Sequence, residues 1–273
     1  MKRNKLTVVV IAKNEEDKIG ECLQSAIWAD EIVLIDNGST DKTVAIAKQR
    51  KAKVFSKTTG SYKDLRNEGL KQAKNEWIFY LDADERVTPE LRDEIILITS
   101  CHSRPDRESI QKNTGSRVEH GMTNGAYAIP RENIILGRRM RYGGWWPDYV
   151  KRLFLKEKLL GWQGDLHEEP KFVGKIGLLT NPMIHLKHDN LHDMAVKTNR
   201  WSNTEAKLLI DAKHPPMVAW RFFRIMFTEL GARLLVKRGV LDGQEGVVYA
   251  TYQSFSKFVT YAKLWEKQTL RKL

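Results

Sequence analysis

The sequence predicts an α/β fold, with a mainly parallel sheet flanked by helices and a helical extension at the C-terminus. Apolar runs and helical patterns alternate four times in the first 100 residues, with short connections between them, which is typical of a doubly wound sheet. After His188 the apolar residues recur at helical spacing instead. We therefore predict two domains, an α/β domain over residues 1–188 and a helical extension over residues 189–273.

Four apolar runs in the first half predict the strands of the parallel sheet. These strands are expected at Leu6 to Ala12, Glu31 to Ile35, Lys53 to Ser56 and Trp77 to Leu81. Helical periodicity follows each of them, and the third helix is expected from Tyr62 to Lys74. A fourth helix is expected from Pro89, a first-turn position that tolerates proline, through Ile98.

The second half begins with polar residues from Thr99 to Asn124, which predict a long surface loop. Strands are expected beyond it at Ala126 to Leu136, Val150 to Leu155, Lys175 to Leu179 and Pro182 to Leu186. Helices are expected at Leu191 to Ala212, Met217 to Lys237 and Gly246 to Lys267. The run Trp220-Arg221-Phe222-Phe223-Arg224 makes the middle helix amphipathic, so it predicts either a contact with an anionic membrane interface or packing on the rest of the protein.

Composition limits the class of protein and its partners. A hydrophobic content of 41% with 29% charged residues is that of an ordinary folded protein. Two cysteines, Cys22 and Cys101, exclude a disulfide framework and a cysteine-based metal cage. The formal net charge of +12 indicates an anionic partner, which can be a nucleotide phosphate, a nucleic acid or a membrane surface. No run approaches the roughly 18 apolar residues of a membrane span.

The predicted strand at Trp77 ends in the acidic residues Asp82, Asp84 and Glu85. Ligands of open parallel sheets bind outside the carboxyl ends of the strands, where these acids fall. Asp82 and Asp84 are two positions apart, so in an extended chain they point the same way and suit Mg²⁺ or Mn²⁺ beside a diphosphate. A polar turn without a ligand is the other interpretation. Asp36 ends the second strand and is expected to face the same crevice, although it could instead cap a turn.

Four sequence blocks together resemble the family-2 glycosyltransferases of the GT-A fold. They are VVVIAKNEE at Val8 to Glu16, IVLIDNGSTDKT at Ile32 to Thr43, RNEGL at Arg66 to Leu70 and WIFYLDADE at Trp77 to Glu85. Later blocks resemble the branch typified by lipopolysaccharide core β-1,4-glucosyltransferases. These are GGWWPDYVKRLF at Gly143 to Phe154, LHE at Leu166 to Glu168, PMIH at Pro182 to His185 and GVLDG at Gly239 to Gly243.

This resemblance implies a role for each matching residue in binding a nucleotide-sugar donor. Glu15 and Asp36 would contact the base and ribose, Arg66 would lie near the phosphates, and Asp82 would lie by the ribose. Asp84 would bind a divalent metal, Mg²⁺ or Mn²⁺, that bridges the diphosphate. His185 would be a second metal ligand, with His188 close enough to exchange roles. Arg152 could reach a phosphate or could form a salt bridge on the open face of its strand.

The resemblance also implies an inverting transfer in which a carboxylate takes the proton of the acceptor hydroxyl. Glu168 matches the position of that base, and Glu169 and Asp148 are its competitors. A UDP-sugar is the favoured donor, and a glycan or lipid-linked acceptor, such as the lipopolysaccharide core, is the expected partner. The expected location is the cytoplasm, with a peripheral contact on the inner face of the cytoplasmic membrane.

Two other functions compete with this prediction. A nucleotidyltransferase would use similar strand-end acids, but typically places a glycine- and lysine-rich loop after the first strand. Here that position holds Lys13-Asn14-Glu15-Glu16, and no glycine precedes Gly20. A non-catalytic nucleic-acid-binding protein would explain the charge, but acids aimed at the crevice would repel a polyanion. No nucleic-acid partner is therefore expected.

Overall fold

The computed structural model describes residues 4–101, 124–164 and 168–270. It divides the chain into two compact units, one made of Met1–Arg131 with Asp148–His185 and the other of Glu132–Pro147 with Leu186–Leu273. Residues 132–147, which fall within the predicted α/β domain, join the helices of the second unit. A physical reason is that the carboxylate of Asp242 accepts hydrogen bonds from the backbone N–H groups of Arg141 (3.0 Å) and Tyr142 (2.9 Å).

The first unit opens with alternating strands and helices. In chain order they are β1 (Leu6–Ala12), α1 (Glu16–Ser25), β2 (Glu31–Asp36), α2 (Thr43–Gln49), β3 (Lys53–Ser56), α3 (Tyr62–Gln72), β4 (Trp77–Asp82), β5 (Glu85–Val87) and α4 (Pro89–Cys101). Strands β3, β2, β1 and β4 are neighbours in that order, and all three pairs are parallel. The predicted α/β fold is confirmed.

The later strands extend this parallel group mostly by antiparallel pairing. They are β6 (Asn124–Ile135), β7 (Arg138–Arg139), β8 (Asp148–Leu155), β9 (Leu159–Gln163), β10 (Glu169–Phe172), β11 (Lys175–Leu178) and β12 (Met183–His188). The sheet continues from β4 through β8, β6 and β12 to β5. Strand β8 is antiparallel to β4 and β6, and β12 is antiparallel to β5. Strands β9 and β10 form a separate antiparallel pair.

Alternating side chains of the parallel strands fill two cores, one on each face of the sheet. Val8, Val10 and Phe79 pack with apolar residues of α1, α2 and α4 on one face. Val9 and Tyr80 pack on the other face with Leu65 of α3 and with Trp162 of β9. All residues of β1 and β2 are buried, so both strands are covered on both sides, as their continuous apolar runs predict.

Two details of the first unit differ from the sequence prediction. Strand β4 ends at Asp82, and Ala83 and Asp84 form a turn before the short strand β5. The argument that Asp82 and Asp84 share one side of an extended chain is therefore wrong. Helix α4 continues to Cys101, so Thr99 to Cys101 are helical rather than part of the predicted loop. The rest of that loop, through residue 123, lies outside the described residues.

The second unit is helical, with α5 (Leu191–Asp211), α6 (Ala219–Gly231) and α7 (Gly243–Leu270). Helix α6 is shorter than predicted, because its α-helical hydrogen bonding changes to a wider π-type turn at Ala232–Val236. Ala206 of α5, Met217 and Leu264 of α7 form a small buried cluster against which Phe222 and Ile225 of α6 pack. Among the helices described, none has both the length and the apolar content required to cross a bilayer.

Candidate active site

The carboxyl ends of β1, β2 and β4 come together as the parallel register requires. Ile11 of β1 is opposite Asp82 of β4, and the next residue, Ala12, is opposite Asp36 of β2. Asp36 and Asp82 therefore flank the end of β1 on either side. The prediction that both acids lie at one edge of the sheet is confirmed at the level of the backbone.

The loops after β1 and β2 are tied to each other by side chains of the two sequence blocks that follow these strands. Asn14, in the left-handed region at φ 53°, accepts a hydrogen bond from the Thr40 backbone N–H (2.8 Å). The Glu15 N–H donates to the Thr43 hydroxyl (2.8 Å), and the Glu16 N–H donates to the Asp41 carboxylate (3.1 Å). These bonds fix the backbone that carries Glu15 beside the end of β2.

Asp36 is buried and serves the turn that follows it. Its carboxylate accepts the backbone N–H groups of Gly38 (3.2 Å) and Ser39 (3.2 Å), and Gly38 has φ +75°, which favours glycine. The turn-capping role that the sequence offered is present in the structure. A contact of Asp36 with a base or ribose stays a prediction.

Asp82 lies between two arginines. Its carboxylate accepts a hydrogen bond from Nη2 of Arg66 at 3.1 Å and is also bonded to Nη2 of Arg152. Burial alone would raise the pKa of this carboxyl, but the guanidinium of Arg152, with that of Arg66, outweighs the effect and holds the pKa of Asp82 well below its usual range. Asp82 is therefore ionised at neutral pH.

Glu85 extends this group of charges into the interior. Its side chain is fully buried, and it accepts hydrogen bonds from Nη2 of Arg152 (2.7 Å) and from the backbone N–H of Asp82 (2.9 Å). Arg131 of β6 reaches Glu85 at 3.5 Å and Asp148 at 2.7 Å. Arg152 is thus engaged by two carboxylates, as in the salt-bridge alternative, but it is buried rather than on an open face of its strand. Its Nε has no hydrogen-bond partner among the described residues.

Arg66 lies on an aromatic platform. Its guanidinium carbon is 4.7 Å from the ring centre of Trp162 and 5.7 Å from that of Tyr80. The side-chain amide of Asn67 holds the backbone of Trp162 in place. It accepts a hydrogen bond from the backbone N–H of Trp162 (2.8 Å) and donates one to the backbone carbonyl of Trp162 (3.0 Å). Nε and Nη1 of Arg66 are buried and lack a hydrogen-bond partner within the described ranges. Such donors suit an anionic oxygen.

Asp84 and His185 approach each other across the β5–β12 pair. His185 is opposite Glu85 in the antiparallel register, and its Nε2 is 3.5 Å from Oδ2 of Asp84. His188 instead lies with its ring centre 5.7 Å from that of Tyr249. No cluster of three or more metal-ligating side chains occurs in residues 4–101, 124–164 and 168–270. One carboxylate and one imidazole nevertheless fit a cation that takes its other ligands from water and phosphate, and the imidazole suits Mn²⁺ better than Mg²⁺.

Glu168 lies immediately before β10 and is half-buried. Strand β10 pairs with β9, and Glu169 is opposite Gln163, one residue after Trp162. Glu169 itself is exposed, and Asp148 is paired with Arg131. Leu166 and His167 of the quoted block lie outside the described residues. Glu168 therefore directly precedes a strand that pairs with β9, and Trp162 of β9 contacts Arg66.

Comparisons with known proteins identify a family domain in the first part of the chain and relatives along nearly all of it. The model of glycosyl transferase family 2 matches residues 7–100, which include Asp36, Arg66, Asp82 and Asp84. An uncharacterized glycosyltransferase of Rickettsia felis is 27% identical over 96% of this chain and 90% of its own length. The protein is a glycosyltransferase with a family 2 domain. This result favours neither of the competing functions, a nucleotidyltransferase or a nucleic-acid-binding protein.

A relative with a more specific name is also similar over nearly the whole chain. The lipopolysaccharide core biosynthesis glycosyltransferase LpsC of Rhizobium meliloti is 25% identical over 97% of this chain and 94% of its own length. A crystal structure of glucosyl-3-phosphoglycerate synthase from Mycobacterium tuberculosis, with Mn²⁺, UDP and glucosyl-3-phosphoglycerate, matches 30% of this chain and 34% of that chain, with 24% identity and a TM-score of 0.28.

Three residues of this glycosyltransferase site were not singled out from the sequence. Asn67 belongs to the Arg66 to Leu70 block, but nothing in the sequence indicates that its amide pairs with Trp162. Trp162 comes from a short strand of the separate β9–β10 pair, far away in the sequence. Arg131 interrupts an apolar strand, which is a weak signal of a buried partner, and the partner Glu85 is 46 residues earlier (131 − 85).

Proposed function

We propose that this glycosyltransferase transfers a sugar, with inversion, from a UDP-sugar to a hydroxyl of a glycan or lipid-linked acceptor of the lipopolysaccharide-core type. The observation that carries the proposal is the approach of Asp84 to His185, at 3.5 Å, beside the ionised Asp82 and the two Arg66 donors that find no partner in the described part of the chain. A ligand that contains a diphosphate group fits this combination of a cation site and a buried guanidinium.

The donor diphosphate would be held at two points. Arg66 would donate from Nε and Nη1 to phosphate oxygens, while Trp162 keeps its guanidinium plane in position. Asp84 and His185 would hold a divalent cation, and that cation, when bound, stabilises the charge gained by the departing diphosphate. Asp82 is fixed between Arg66 and Arg152, so its carboxylate is positioned rather than mobile, which suits a hydrogen bond to a ribose hydroxyl. Glu15 and Asp36 would contact the base and ribose from the neighbouring strand ends.

The chemical step would be a single displacement. Glu168 would remove the proton of the acceptor hydroxyl as its oxygen forms a bond to the anomeric carbon, and the bond from that carbon to the diphosphate oxygen would break. One displacement inverts the anomeric configuration. The position of Glu168 supports this role, because it directly precedes the strand that pairs with β9, and Trp162 of β9 contacts the same arginine that would bind the donor phosphates.

Donor binding is tested with Asp84→Asn. This change removes one anionic ligand and should lower turnover of UDP-sugars by about 100- to 1,000-fold, the usual loss for a group that stabilises transition-state charge. Titration calorimetry with UDP and Mn²⁺ should show the loss of the manganese-dependent part of the binding. Glu90→Gln, at an exposed position in the first turn of α4, is the control and should bind UDP as the unmodified protein does. Unchanged turnover in Asp84→Asn would refute the site.

The base is tested with Glu168→Gln, which should keep UDP affinity and lose about 100- to 10,000-fold in transfer rate. Glu169→Gln is a matched control one residue away on the exposed end of β10. Asp148→Asn is a second comparison, and a lower Tm in that variant would report the lost pair with Arg131. Normal transfer by Glu168→Gln together with a loss in either comparison variant would move the base to that residue. The product anomer, read by NMR, tests inversion.

Such an acceptor would be built on the inner leaflet, so we propose that the protein acts in the cytoplasm at the membrane face. The LpsC relative, whose name refers to the lipopolysaccharide core, supports this choice of acceptor. Fractionation of cells that express the protein should find it in the membrane pellet at low salt and release it at high salt. Recovery in the soluble fraction at every salt concentration would contradict this location.

A further inference from the structure

Helix α6 carries an uncovered row of aromatic side chains. Trp220, Phe223 and Phe227 are 57%, 63% and 69% exposed. At 100° per residue they lie within about 60° of each other around the helix axis. We call these three residues the aromatic stripe.

The aromatic stripe is on the side of α6 that faces away from the other helices of its unit. Phe222 and Ile225, on the opposite side, pack against the cluster that contains Leu264 of α7, as Tyr261 of α7 does. The ring of Phe222 is 5.8 Å from that of Phe258. Helix α6 is therefore already fixed by one apolar side, and the aromatic stripe is additional apolar surface.

Exposed apolar residues continue after α6. Leu235 and Val236 are 74% and 80% exposed, and Val240 and Leu241 are 53% and 54% exposed. A surface helix of a soluble domain normally turns polar residues outward, and a concentrated apolar surface indicates an interaction site. Residues 218–241 thus present large apolar side chains in both their helical and their less regular parts.

Basic residues accompany this apolar surface. Residues 218–241 contain five basic side chains and one acidic side chain, a net charge of +4 (5 − 1). Arg224, Lys237 and Arg238 are exposed. The single acid, Glu229, is bonded to Arg233 at 2.6 Å. Arg221 and Arg224 lie over the ring of Trp220, at 5.8 Å and 5.2 Å from its centre.

We propose that residues 218–241 dock this glycosyltransferase on an anionic lipid bilayer, with the aromatic stripe in the interfacial layer and Arg224, Lys237 and Arg238 against lipid phosphates. Exposed tryptophan and phenylalanine beside arginine and lysine are the chemistry of an interfacial helix. A second copy of the chain would bring the same +4 charge against itself, which disfavours a homodimer through this surface. The inference gives a surface to the membrane contact of the proposed function, but lipid binding does not require catalysis, so either can fail alone.

The test is co-sedimentation of the whole protein with vesicles. Binding to vesicles of phosphatidylcholine mixed with phosphatidylglycerol should be strong at low salt and should weaken as salt screens the charges. Vesicles of phosphatidylcholine alone should bind weakly. The triple variant Trp220→Ser/Phe223→Ser/Phe227→Ser should bind anionic vesicles at least about tenfold more weakly, and Arg224→Glu should lose most of the salt-sensitive part.

Trp201→Ser is the matched control, because Trp201 is an exposed tryptophan (39%) on α5 and should not affect lipid binding. Circular dichroism and UDP binding should be unchanged in all variants, since the substituted side chains are exposed and lie outside the candidate active site. Equal vesicle binding by the triple variant and the unmodified protein would overturn the proposal. So would a dimer in solution that the triple variant converts to monomer, because a second copy would then cover the stripe.

Discussion

Replacing Arg152 with methionine tests whether the buried charges hold the carboxyl end of β4 together. Arg152 is 5% exposed as a side chain and is bonded to both Asp82 and Glu85, and Glu85 is completely buried. Methionine fills a similar space without a charge, so the two carboxylates lose their common partner. Breaking a buried ion pair in this way usually costs about 3–5 kcal/mol, because the remaining charge is buried without compensation.

The expected loss is at the lower end of that range, about 3 kcal/mol, because other cations remain nearby. Arg66 is still 3.1 Å from Asp82, and Arg131 is still 3.5 Å from Glu85. With a urea m-value of about 3 kcal/mol/M, the unfolding midpoint should fall by about 1 M. Arg152, Asp82 and Glu85 all belong to the first unit. If urea unfolding shows two transitions, only the transition of that unit should move.

The double variant Arg152→Met/Glu85→Gln separates charge from packing. Glutamine keeps an acceptor for the Asp82 N–H but removes the buried negative charge, so the double variant should be more stable than Arg152→Met alone. Arg152→Lys should keep the charge but reach only one carboxylate well, and its stability should fall in between. A midpoint for Arg152→Met within experimental error of the unmodified protein would refute the view that these charges stabilise the strand end.

Four further predictions concern other parts of the first unit. Gly69→Ala should destabilise the fold by about 1–3 kcal/mol in urea unfolding, because the added Cβ would lie 2.3 Å from Cγ1 of Val9; Gly69→Ala/Val9→Ala should recover part of the loss, and no recovery would contradict this cause. Asn67→Ala should lower the free energy of unfolding by about 1–3 kcal/mol, because the buried backbone N–H and carbonyl of Trp162 lose their hydrogen bonds to the amide. It should also weaken UDP binding, because Arg66 loses the fixed ring on which it lies. Unchanged UDP affinity would show that donor binding does not depend on this platform. Asp82 has a lowered pKa in the folded protein, so its contribution to stability is complete above its unfolded pKa of about 3.9 and is lost as the pH falls below that value. Urea midpoints should therefore decline more steeply with falling pH in the unmodified protein than in Asp82→Asn. Equal declines in the two proteins would argue against the lowered pKa. Burial raises the pKa of the Cys22 thiol, so iodoacetamide should modify Cys22 only after unfolding, as followed by peptide mass spectrometry, and rapid modification in the native protein would contradict its burial.

Much of the parallel sheet could be predicted from the sequence, because continuous apolar runs mark strands buried on both faces. The runs at Leu6–Ala12 and Trp77–Asp82 are strands β1 and β4 almost residue for residue. Strand β5 was not predicted, since three residues are too few to show a period, and its presence places Asp84 in a turn. The end of α6 was also missed, because Gly231 and the residues after it keep helical spacing in the sequence.

The candidate site was only partly predictable, for a reason of sequence distance. Acidic residues at strand ends can be recognised in the sequence, but their partners cannot. Arg152 reaches Asp82 because β8 pairs antiparallel with β4, and His185 reaches Asp84 because β12 pairs with β5. Both pairings join segments about 70 to 100 residues apart (152 − 82 and 185 − 84). The local pattern contains no information about such pairings, so the ion pairs of Asp82 appear only in three dimensions.

The hairpin of β9 and β10 carries two tasks at separate positions. Strand β9 is anchored at Trp162 by the Asn67 amide, whereas Glu168 lies one residue before β10. The two positions are six residues apart (168 − 162), so a change at Glu168 leaves the hydrogen bonds between Asn67 and Trp162, and hence the support of Arg66, in place. Engineering can use the same separation. Exchanging residues 164–168 for the corresponding residues of a relative should alter acceptor choice while the affinity for UDP stays constant.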